Sequence, residues 1–484
     1  MYSFILNSCL PVALKVTRSN YWQMRRSIQK WQRRSRNQIR ELQLSSLKAI
    51  VEHAAEKVPF YRDRFREAGF DPKSLRGLDD ISRLPITTKK DIQLNFPDRM
   101  LSEDVNAEDL RFLGTRGTTN RLMIAQDFSR RDHARATQLF VQTEDASYRV
   151  GKRQLTIPPD ACSVVCGVEG MRERTVSRHL LKMLREGSLL SPSLISDLRG
   201  LVMNNWIDNA TILPPLDSSG GDAMEVELER YVKTVSDLRP ALLFALPEYL
   251  IWLARFVKEN QLELRIPEIR PMGANMSRSA RQFIESHLGG SVREHYGSLE
   301  LGNMAFDCQE KSGMHLLEDQ FFIETTDRRS AVESGGLGSV TVTDFHNFVM
   351  PLIRYQVGDV ARVDNRNCDC GRTSRRITLE GRVDDTFVID DRWITPEAVA
   401  EFFTKFDDVF DFQLVEKRSG RWELLYVANY ENVDESELQQ ACLQVLGGGM
   451  LKVRRVQRII PEASGKFRHC KSSSHFLINQ AAGK

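Results

Sequence analysis

No stretch of this 484-residue chain is apolar for long enough to cross a bilayer. The apolar run at Met1–Leu14 is interrupted by Asn7 and Ser8 and lacks the basic start of a secretory leader. A surplus of one charge is missing too: the net charge is +3, which makes no case for nucleic acid as the main partner. Cysteine is sparse, and eight in a chain this size exclude a disulfide scaffold. Internal repeats and low-complexity tracts are absent. The composition that remains, 41% hydrophobic and 27% charged, is that of a soluble globular protein. The length exceeds what one hydrophobic core supports, so two or three domains and a cytoplasmic location are expected.

One absence is local. Residues 15–40 hold Lys15, Arg18, Arg25, Arg26, Lys30, Arg33, Arg34, Arg36 and Arg40 and no acid, with Trp22, Ile28, Trp31 and Ile39 interleaved. A basic, partly amphipathic segment of this kind could make peripheral contact with an anionic membrane. A solvated helix packed on the main body is the commoner arrangement.

What the chain does contain is an alternation. A helical stripe runs through Leu42, Leu44, Leu47, Ile50, Val51 and Ala54, and Pro59 breaks it. In Leu84-Pro-Ile-Thr-Thr-Lys-Lys-Asp-Ile92, Thr87 or Thr88 can cap a helix starting near Lys89. Strand-like runs at Leu155–Pro158, Ser163–Cys166, Thr211–Leu213 and Ala241–Ala245 alternate with helical stretches around 175–187, 224–238 and 248–258. That pattern argues for an α/β core. At Ala280–Leu288 an apolar helix pattern is stopped by Gly289-Gly290, and Val292, Glu294 and Tyr296 follow as one short candidate strand. Gly297 is expected to turn the backbone tightly before Glu300.

After residue 300 the chain becomes strand-rich, at 320–324, 338–343 and 359–363. Beyond Gly381-Arg-Val-Asp-Asp385 a small unit is expected. It has a helix at 396–405, a hairpin from Phe410 to Tyr426 turning at Ser419-Gly420, a helix at 434–446 and a strand over Val453–Ile460. The organisation read from this is a basic segment 1–40, a large domain 41–381 with a β-rich part from about 300, and a small domain 382–484.

Seven short motifs stand in one order: Leu84-Pro-Ile-Thr-Thr-Lys89, Thr115-Arg-Gly-Thr-Thr-Asn120, Gly273-Ala-Asn275, Tyr296-Gly-Ser-Leu-Glu300, Pro351-Leu-Ile-Arg-Tyr-Gln-Val-Gly-Asp359, Gly381-Arg-Val-Asp-Asp385 and Ser464-Gly-Lys-Phe-Arg468. With these motifs the chain resembles the adenylate-forming superfamily of acyl- and aryl-activating ligases. Within it, the chain is similar to the phenylacetate–coenzyme A ligase-like branch and its capsular-polysaccharide-associated members. The resemblance implies an α/β fold, with a large N-terminal adenylate-forming domain and a small mobile α+β C-terminal lid. It implies ATP and Mg²⁺ as cofactors, a small carboxylic acid as substrate, and a thiol such as coenzyme A or an amine as acceptor. A catalytically silent relative serving as a scaffold in surface-polymer assembly is the alternative from another class.

In such enzymes a carboxylate attacks the α-phosphate of ATP, so positioning and charge neutralisation dominate. The resemblance assigns Thr115, Gly117, Thr118, Thr119 and Asn120 to the triphosphate. It assigns Gly273, Ala274, Tyr296, Gly297 and Ser298 to the nucleotide and Glu300 to Mg²⁺. Asp359 is assigned to the ribose hydroxyls, Arg382 to ribose or phosphates, and Asp384 to the hinge. Lys466 is the expected catalytic residue, carried by the small domain to the reacting centre. A second constellation is Cys308, His315, Cys368 and Cys370, whose three thiols and imidazole make a full tetrahedral donor set for a structural Zn²⁺. Ligases of this branch carry such a site.

The chain departs from the pattern in places. The phosphate loop lacks the Gly-Lys-Ser/Thr ending of a Walker P-loop. Within the resemblance, Arg116 replaces a small residue, Asn120 a glycine, and Met123 stands near the expected lysine. Past the hinge, Val388–Pro396 has no glycine for a pantetheine tunnel, and Arg392 and Trp393 are bulky there. Coenzyme A, an amine and a sugar hydroxyl therefore all remain open as acceptors. Position alone places the acid pocket near Cys166–Gly170, Pro214-Pro215 and Pro247–Tyr249.

Overall fold

The computed structural model describes residues 21–105, 110–114, 122–158, 209–216, 222–274, 276–327, 330–390, 392–403, 405–406, 409–418, 420–428, 433–460 and 467–472. The basic segment forms helix α1 (Tyr21–Trp31), and its Tyr21 and Ile28 are buried in the main core. Arg25 Nη2 donates to Thr143 Oγ1 at 2.9 Å. The apolar side of this segment thus faces protein. Helix α2 (Arg36–Lys57) opens with a capping box between Ser35 and Gln38 and buries Leu47, Ile50, Val51 and Ala54. Pro59 does more than break the stripe. It starts helix α3 (Pro59–Glu67) from the first turn, where its missing N–H costs nothing. Helix α4 (Lys89–Asn95) is capped by Thr88.

Strands β1 (Arg111–Gly114) and β2 (Met123–Gln126) pair antiparallel, with Gly114 opposite Met123. Thr115, Arg116, Gly117, Thr118, Thr119 and Asn120 lie between them, outside the described residues. Helix α5 (Phe128–Thr143) follows.

Of the alternating middle, the strands expected at Leu155–Pro158, Thr211–Leu213 and Ala241–Ala245 and the helices expected around 224–238 and 248–258 form, and Glu268–Pro271 adds a strand that was not expected. Strands β3 (Gln154–Thr156), β4 (Ala210–Ile212), β5 (Leu242–Ala245), β6 (Glu268–Pro271) and β7 (Ser291–Val292) form a parallel sheet in the order β4-β3-β5-β6-β7. Helices α6 (Asp222–Leu238), α7 (Pro247–Glu259) and α8 (Arg278–Leu288) connect them. Leu155, Leu243, Ala245, Ile269 and Val292 pack with Leu250, Leu253, Ile284 and Leu288 in one core. The strand expected at Ser163–Cys166 and the helix expected at 175–187 lie outside the described residues. Gly289 ends α8 at φ +63°, and a Cβ at Gly290 would stand 1.7 Å from the Ile266 carbonyl oxygen. The double glycine serves a turn and then a close backbone passage.

The single strand expected over Val292–Tyr296 is two strands in two sheets. Val292 belongs to the parallel sheet, whereas β8 (His295–Ser298) is the edge of an eight-stranded antiparallel sheet. The side chains explain the split, because Val292 is buried in one core and Tyr296 in another. Gly297 does not turn the chain as expected. It lies within β8, where a Cβ would meet the Gly302 oxygen at 2.6 Å, and the left-handed residue is Gly302, at φ +74°.

The antiparallel sheet continues through β9 (Gly302–Asp307), β10 (Met314–Leu316), β11 (Phe321–Asp327), β12 (Ser330–Ala331), β13 (Leu337–Asp344), β14 (Tyr355–Asp364) and β15 (Arg376–Arg382). The order is β12-β11-β13-β14-β15-β10-β9-β8. After a short turn at Val383–Asp385 come the hairpin β16 (Phe387–Ile389) and β17 (Arg392–Ile394) and helix α9 (Pro396–Phe403). The expected hairpin is β18 (Val409–Arg418) and β19 (Arg421–Ala428), and helix α10 (Glu435–Leu446) lies over it. Strand β20 is Met450–Arg455, so the strand expected to run to Ile460 starts and ends earlier; β21 (Cys470–Ser472) completes a sheet ordered β20-β19-β18-β21. This last unit has a core of its own, built on Phe403, Phe412, Leu414, Leu424, Leu438 and Leu451. No helix among the described residues is long and apolar enough to cross a membrane.

Candidate active site

The site forms where Asp359 of β14 and Arg382 of β15 meet Tyr296 of β8, with β10 and β9 between β15 and β8 in the sheet order. Asp359 on β14 pairs in register with Arg382, the last residue of β15. Tyr296 Oη donates to Asp359 Oδ2 at 2.8 Å, and Arg382 Nε lies 3.1 Å from Asp359 Oδ1. One carboxylate is thus held between a buried phenol and a half-exposed guanidinium. Burial, then the charge of Asp359, raises the Tyr296 phenol well above its ordinary value, so it stays a donor. Gly358 adopts φ +90°, and a Cβ there would stand 3.3 Å from Arg382 Nη2. The left-handed backbone before Asp359, more than that contact, calls for glycine there.

Four residues before Asp359 on β14, Tyr355 Oη donates to Glu300 Oε1 at 3.1 Å. Burial and Glu300 together push the Tyr355 phenol upward. The Glu300 backbone oxygen accepts from Gln126 Nε2 at 3.5 Å, and Glu300 itself is buried. Ser298 Oγ accepts from the Leu301 N–H at 3.3 Å and closes the turn between β8 and β9. The structure thus brings Tyr296, Ser298, Glu300, Asp359 and Arg382 to one region. Gly273, at φ +80°, and Ala274 follow β6, which is joined to β8 through β7. A Cβ on Gly273 would press on Leu246 Cδ2 at 3.2 Å.

The Leu84–Lys89 motif is a brace for this region. Thr87 bridges to Tyr355 as an isolated parallel partner, with Thr87 N–H to the Arg354 oxygen and Gln356 N–H to the Thr87 oxygen, both 2.9 Å. Its hydroxyl donates to the Ile353 oxygen at 2.8 Å. Arg354 is buried, pairs with Glu324 and donates to the Leu84 and Ser82 carbonyls.

Lys466 lies outside the described residues, but the chain just after it is fixed at two places. The Phe467 ring sits 6.0 Å from Trp252 on α7, edge-on. Arg468 Nη2 donates to the Asp384 carbonyl at 2.6 Å, and its Nε pairs with Asp385. Asp384 thereby lies at the joint between the end of β15 and the strand that follows Lys466. A Cβ on Gly381, just before Arg382, would stand 2.6 Å from the Pro396 ring.

Cys308, His315, Cys368 and Cys370 converge, their ligand atoms all within 4.8 Å of one another. Cys308 follows β9, His315 lies on β10, and the other two lie in the β14–β15 loop. Cys308 Sγ and Cys368 Sγ are 3.7 Å apart, which excludes a disulfide. It equals the edge, about 3.8 Å, of a tetrahedron with metal–sulfur bonds of about 2.3 Å. His315 Nε2 is 3.2 Å from Cys370 Sγ, while Nδ1 faces Ser374 Oγ at 3.0 Å. A hydroxyl on the second ring nitrogen is how a metal-ligating imidazole is oriented. The donor set therefore fits zinc.

Against known sequences, the phenylacetate–coenzyme A ligase of Thermus thermophilus is 27% identical over 422 residues, 84% of this chain and 81% of the relative. That of Pseudomonas putida is 24% identical over 414 residues, 82% of this chain and 84% of the relative. Protein CapK of Staphylococcus aureus is 22% identical over 335 residues, 68% of this chain and 64% of CapK. Among solved structures, a 2-hydroxyisobutyryl-CoA ligase in its postadenylation state superposes with a TM-score of 0.68 at 20% identity, covering 94% of both chains. The chain has the adenylate-forming fold and is a relative of the phenylacetate–coenzyme A ligases. No family model matches it. The same 2-hydroxyisobutyryl-CoA ligase in its thioesterification state superposes at 0.54, so the chain as a whole superposes better on the postadenylation arrangement.

Tyr355 and Thr87 are the site residues that sequence reasoning missed. Both stood inside quoted motifs. Its place in the same motif as Asp359 was the available signal for the first. Nothing local marked the second.

Proposed function

We propose that this chain activates a small carboxylic acid with ATP and Mg²⁺ to an acyl-adenylate and passes the acyl group to a thiol. The observation that carries the reading is Asp359 gripped between Tyr296 and Arg382 with Glu300 alongside. Asp359 would accept from the ribose hydroxyls, with Tyr296, Gly273 and Ala274 bounding the adenine. Glu300, oriented by Tyr355, offers the hard oxygen that Mg²⁺ prefers. Thr115, Gly117, Thr118, Thr119 and Asn120 would wrap the triphosphate, on a loop whose ends are tied by the β1–β2 pair. Lys466 would neutralise charge as the carboxylate attacks the α-phosphate. Magnesium bound at Glu300 would draw charge from the phosphates, and the residues around it orient the nucleotide.

Coenzyme A is the acceptor that the names of the relatives favour. Zinc held by Cys308, His315, Cys368 and Cys370 would be structural, because a closed four-ligand set leaves no position for substrate.

ATP–pyrophosphate exchange across a panel of carboxylic acids tests the reading. Acid-dependent exchange that Lys466→Ala abolishes is the expected result. Absence of exchange and of ATP binding with every acid would sink it.

A further inference from the structure

Three strands of the parallel sheet place an unusual group of side chains on one face. Ile269 and Val292 pack toward α7 and α8. By the two-residue period of a strand, Glu268, Arg270 and Arg293 face the other way. Phe244 lies on that side too, in a small cluster with Tyr148 and Leu242. The His295 ring is 6.3 Å from Phe244. Arg270 and Arg293 are 1% and 9% exposed, and Glu268 is fully buried.

One carboxylate serves both guanidiniums. Arg270 Nη2 donates to Glu268 Oε1 at 3.0 Å, and Arg293 Nε stands 3.5 Å from the same oxygen. Glu268 Oε2 accepts from the Ser147 N–H and hydroxyl at 3.3 and 3.2 Å. The neighbouring acids Glu294 and Asp307 are taken by Arg281. Arg270 Nε and Nη1, Arg293 Nη1 and His295 Nδ1 are left buried without a hydrogen-bond partner among the described residues, and Arg293 Nε has only the long ion pair to Glu268. Burial, then Arg270, pushes His295 down to about 4, so its ring is neutral. A buried donor left unpaired is costly, more so when it is charged, and these nitrogens gathered in one place point to a missing acceptor.

The location names the acceptor. Phe244, Arg270 and Arg293 stand toward the carboxyl ends of β5, β6 and β7, the edge where open α/β sheets bind ligands. Arg270 is three residues before Gly273, and His295 immediately precedes Tyr296. The carboxylate to be activated cannot itself sit here, because two guanidiniums would occupy the lone pairs that must attack phosphorus. We propose that Arg270, Arg293 and His295 form a subsite for a second carboxylate on the acid, so that the substrate is a dicarboxylic acid activated at one end. This rests on the adenylation reading.

The test pairs straight-chain dicarboxylic acids with monocarboxylic acids of matched length, and adds phenylacetate, in pyrophosphate exchange. A dicarboxylate should exceed its monocarboxylate partner by about 100-fold or more in kcat/KM, as expected where a ligand group meets dedicated buried donors. Arg270→Gln and Arg293→Gln should erase that ratio and leave the KM for ATP unchanged, and Arg270→Lys should restore part of it. Monocarboxylates or phenylacetate working as well as dicarboxylates would overturn the subsite, as would variants that depress all acids equally. Dicarboxylate binding without ATP, read by thermal shift, separates the two ideas. Stabilisation of the parent protein that Arg293→Gln loses upholds the subsite even if no acid supports exchange. No stabilisation by any dicarboxylate refutes the subsite whatever the exchange assay shows.

Discussion

Tyr296 and Asp359, 63 residues apart in sequence, meet in a 2.8 Å hydrogen bond that joins the edge strand β8 to the interior strand β14. Each carries one side of the proposed nucleotide site, and neither is positioned by its own neighbours alone. Asp359→Asn keeps the shape but loses the charge that holds Arg382. It should raise the KM for ATP by about tenfold or more, the worth of a charge-assisted bond of about 1.5–3 kcal/mol. Tyr296→Phe should shift it less, and isothermal titration with ATP would rank the two.

Lys466→Ala should lower the exchange rate by about 10²–10³-fold, the usual cost of removing one donor to developing charge. ATP affinity and melting temperature should hardly move, since Phe467 and Arg468 make the packing contacts of that segment. A drop in melting temperature comparable to that of a core variant would instead make Lys466 structural.

Elemental analysis of the purified protein should find one zinc per chain. Cys368→Ser or Cys308→Ser should abolish it and lower the melting temperature, because the loops after β9 and between β14 and β15 lose their common anchor. Chelation should act in the same direction. Unchanged stability with full metal loss would show that the four residues do not brace the sheet.

The contact between the small unit and α7 should weaken as pH rises. Glu248, at the start of α7, is buried with neither carboxylate oxygen hydrogen-bonded, and burial raises it to about 8. His469 Nε2 lies 3.4 Å from Asp411 Oδ1. Against the penalty of burial, Asp411, Glu248 and Asp385 raise it to about 9. Glu397 faces the same cluster, and burial raises it to about 7. All three bind protons more tightly packed than apart, so packing takes protons up. The stability from His469 is full below its ordinary value of 6.5 and is lost as pH climbs through about 9. That from Glu248 is full below 4.5 and is lost through about 8. Melting curves from pH 6 to 10, a range set by those shifts, should fall with pH. The fall should flatten in Glu248→Gln and in His469→Gln, and an equal slope in both variants and the parent would refute the coupling.

Much of this was legible in the sequence because it is written locally. The helix stop at Gly289-Gly290, the hairpin turning at Gly420 and the apolar strands of the parallel sheet depend on nearest neighbours. The four candidate zinc ligands stand out by residue type and by the resemblance, and the structure brings them together. What escaped was non-local. Val292 and Tyr296 look like one alternating strand, and only the presence of two separate cores divides them. Thr87 reads as a helix cap because its partner strand lies more than 250 residues away. Glu268 and Arg270 belong to none of the motifs or strands read in the sequence, Arg293 lies in the candidate strand without a role, and their burial on a shared face depends on the register of β6 with β7.

Strands β9 and β14 each have an end at the proposed nucleotide site and an end at the cysteines. β9 begins at Gly302, two residues after Glu300, and reaches Cys308; β14 carries Asp359 and leads on to Cys368. At about 3.3 Å per residue, the end of β14 at Asp364 lies roughly 17 Å from Asp359. A cobalt ion substituted among the thiols would thus act as a built-in strain gauge. Its visible spectrum would report, from a distance and without any label, when ATP tightens the strands that hold it.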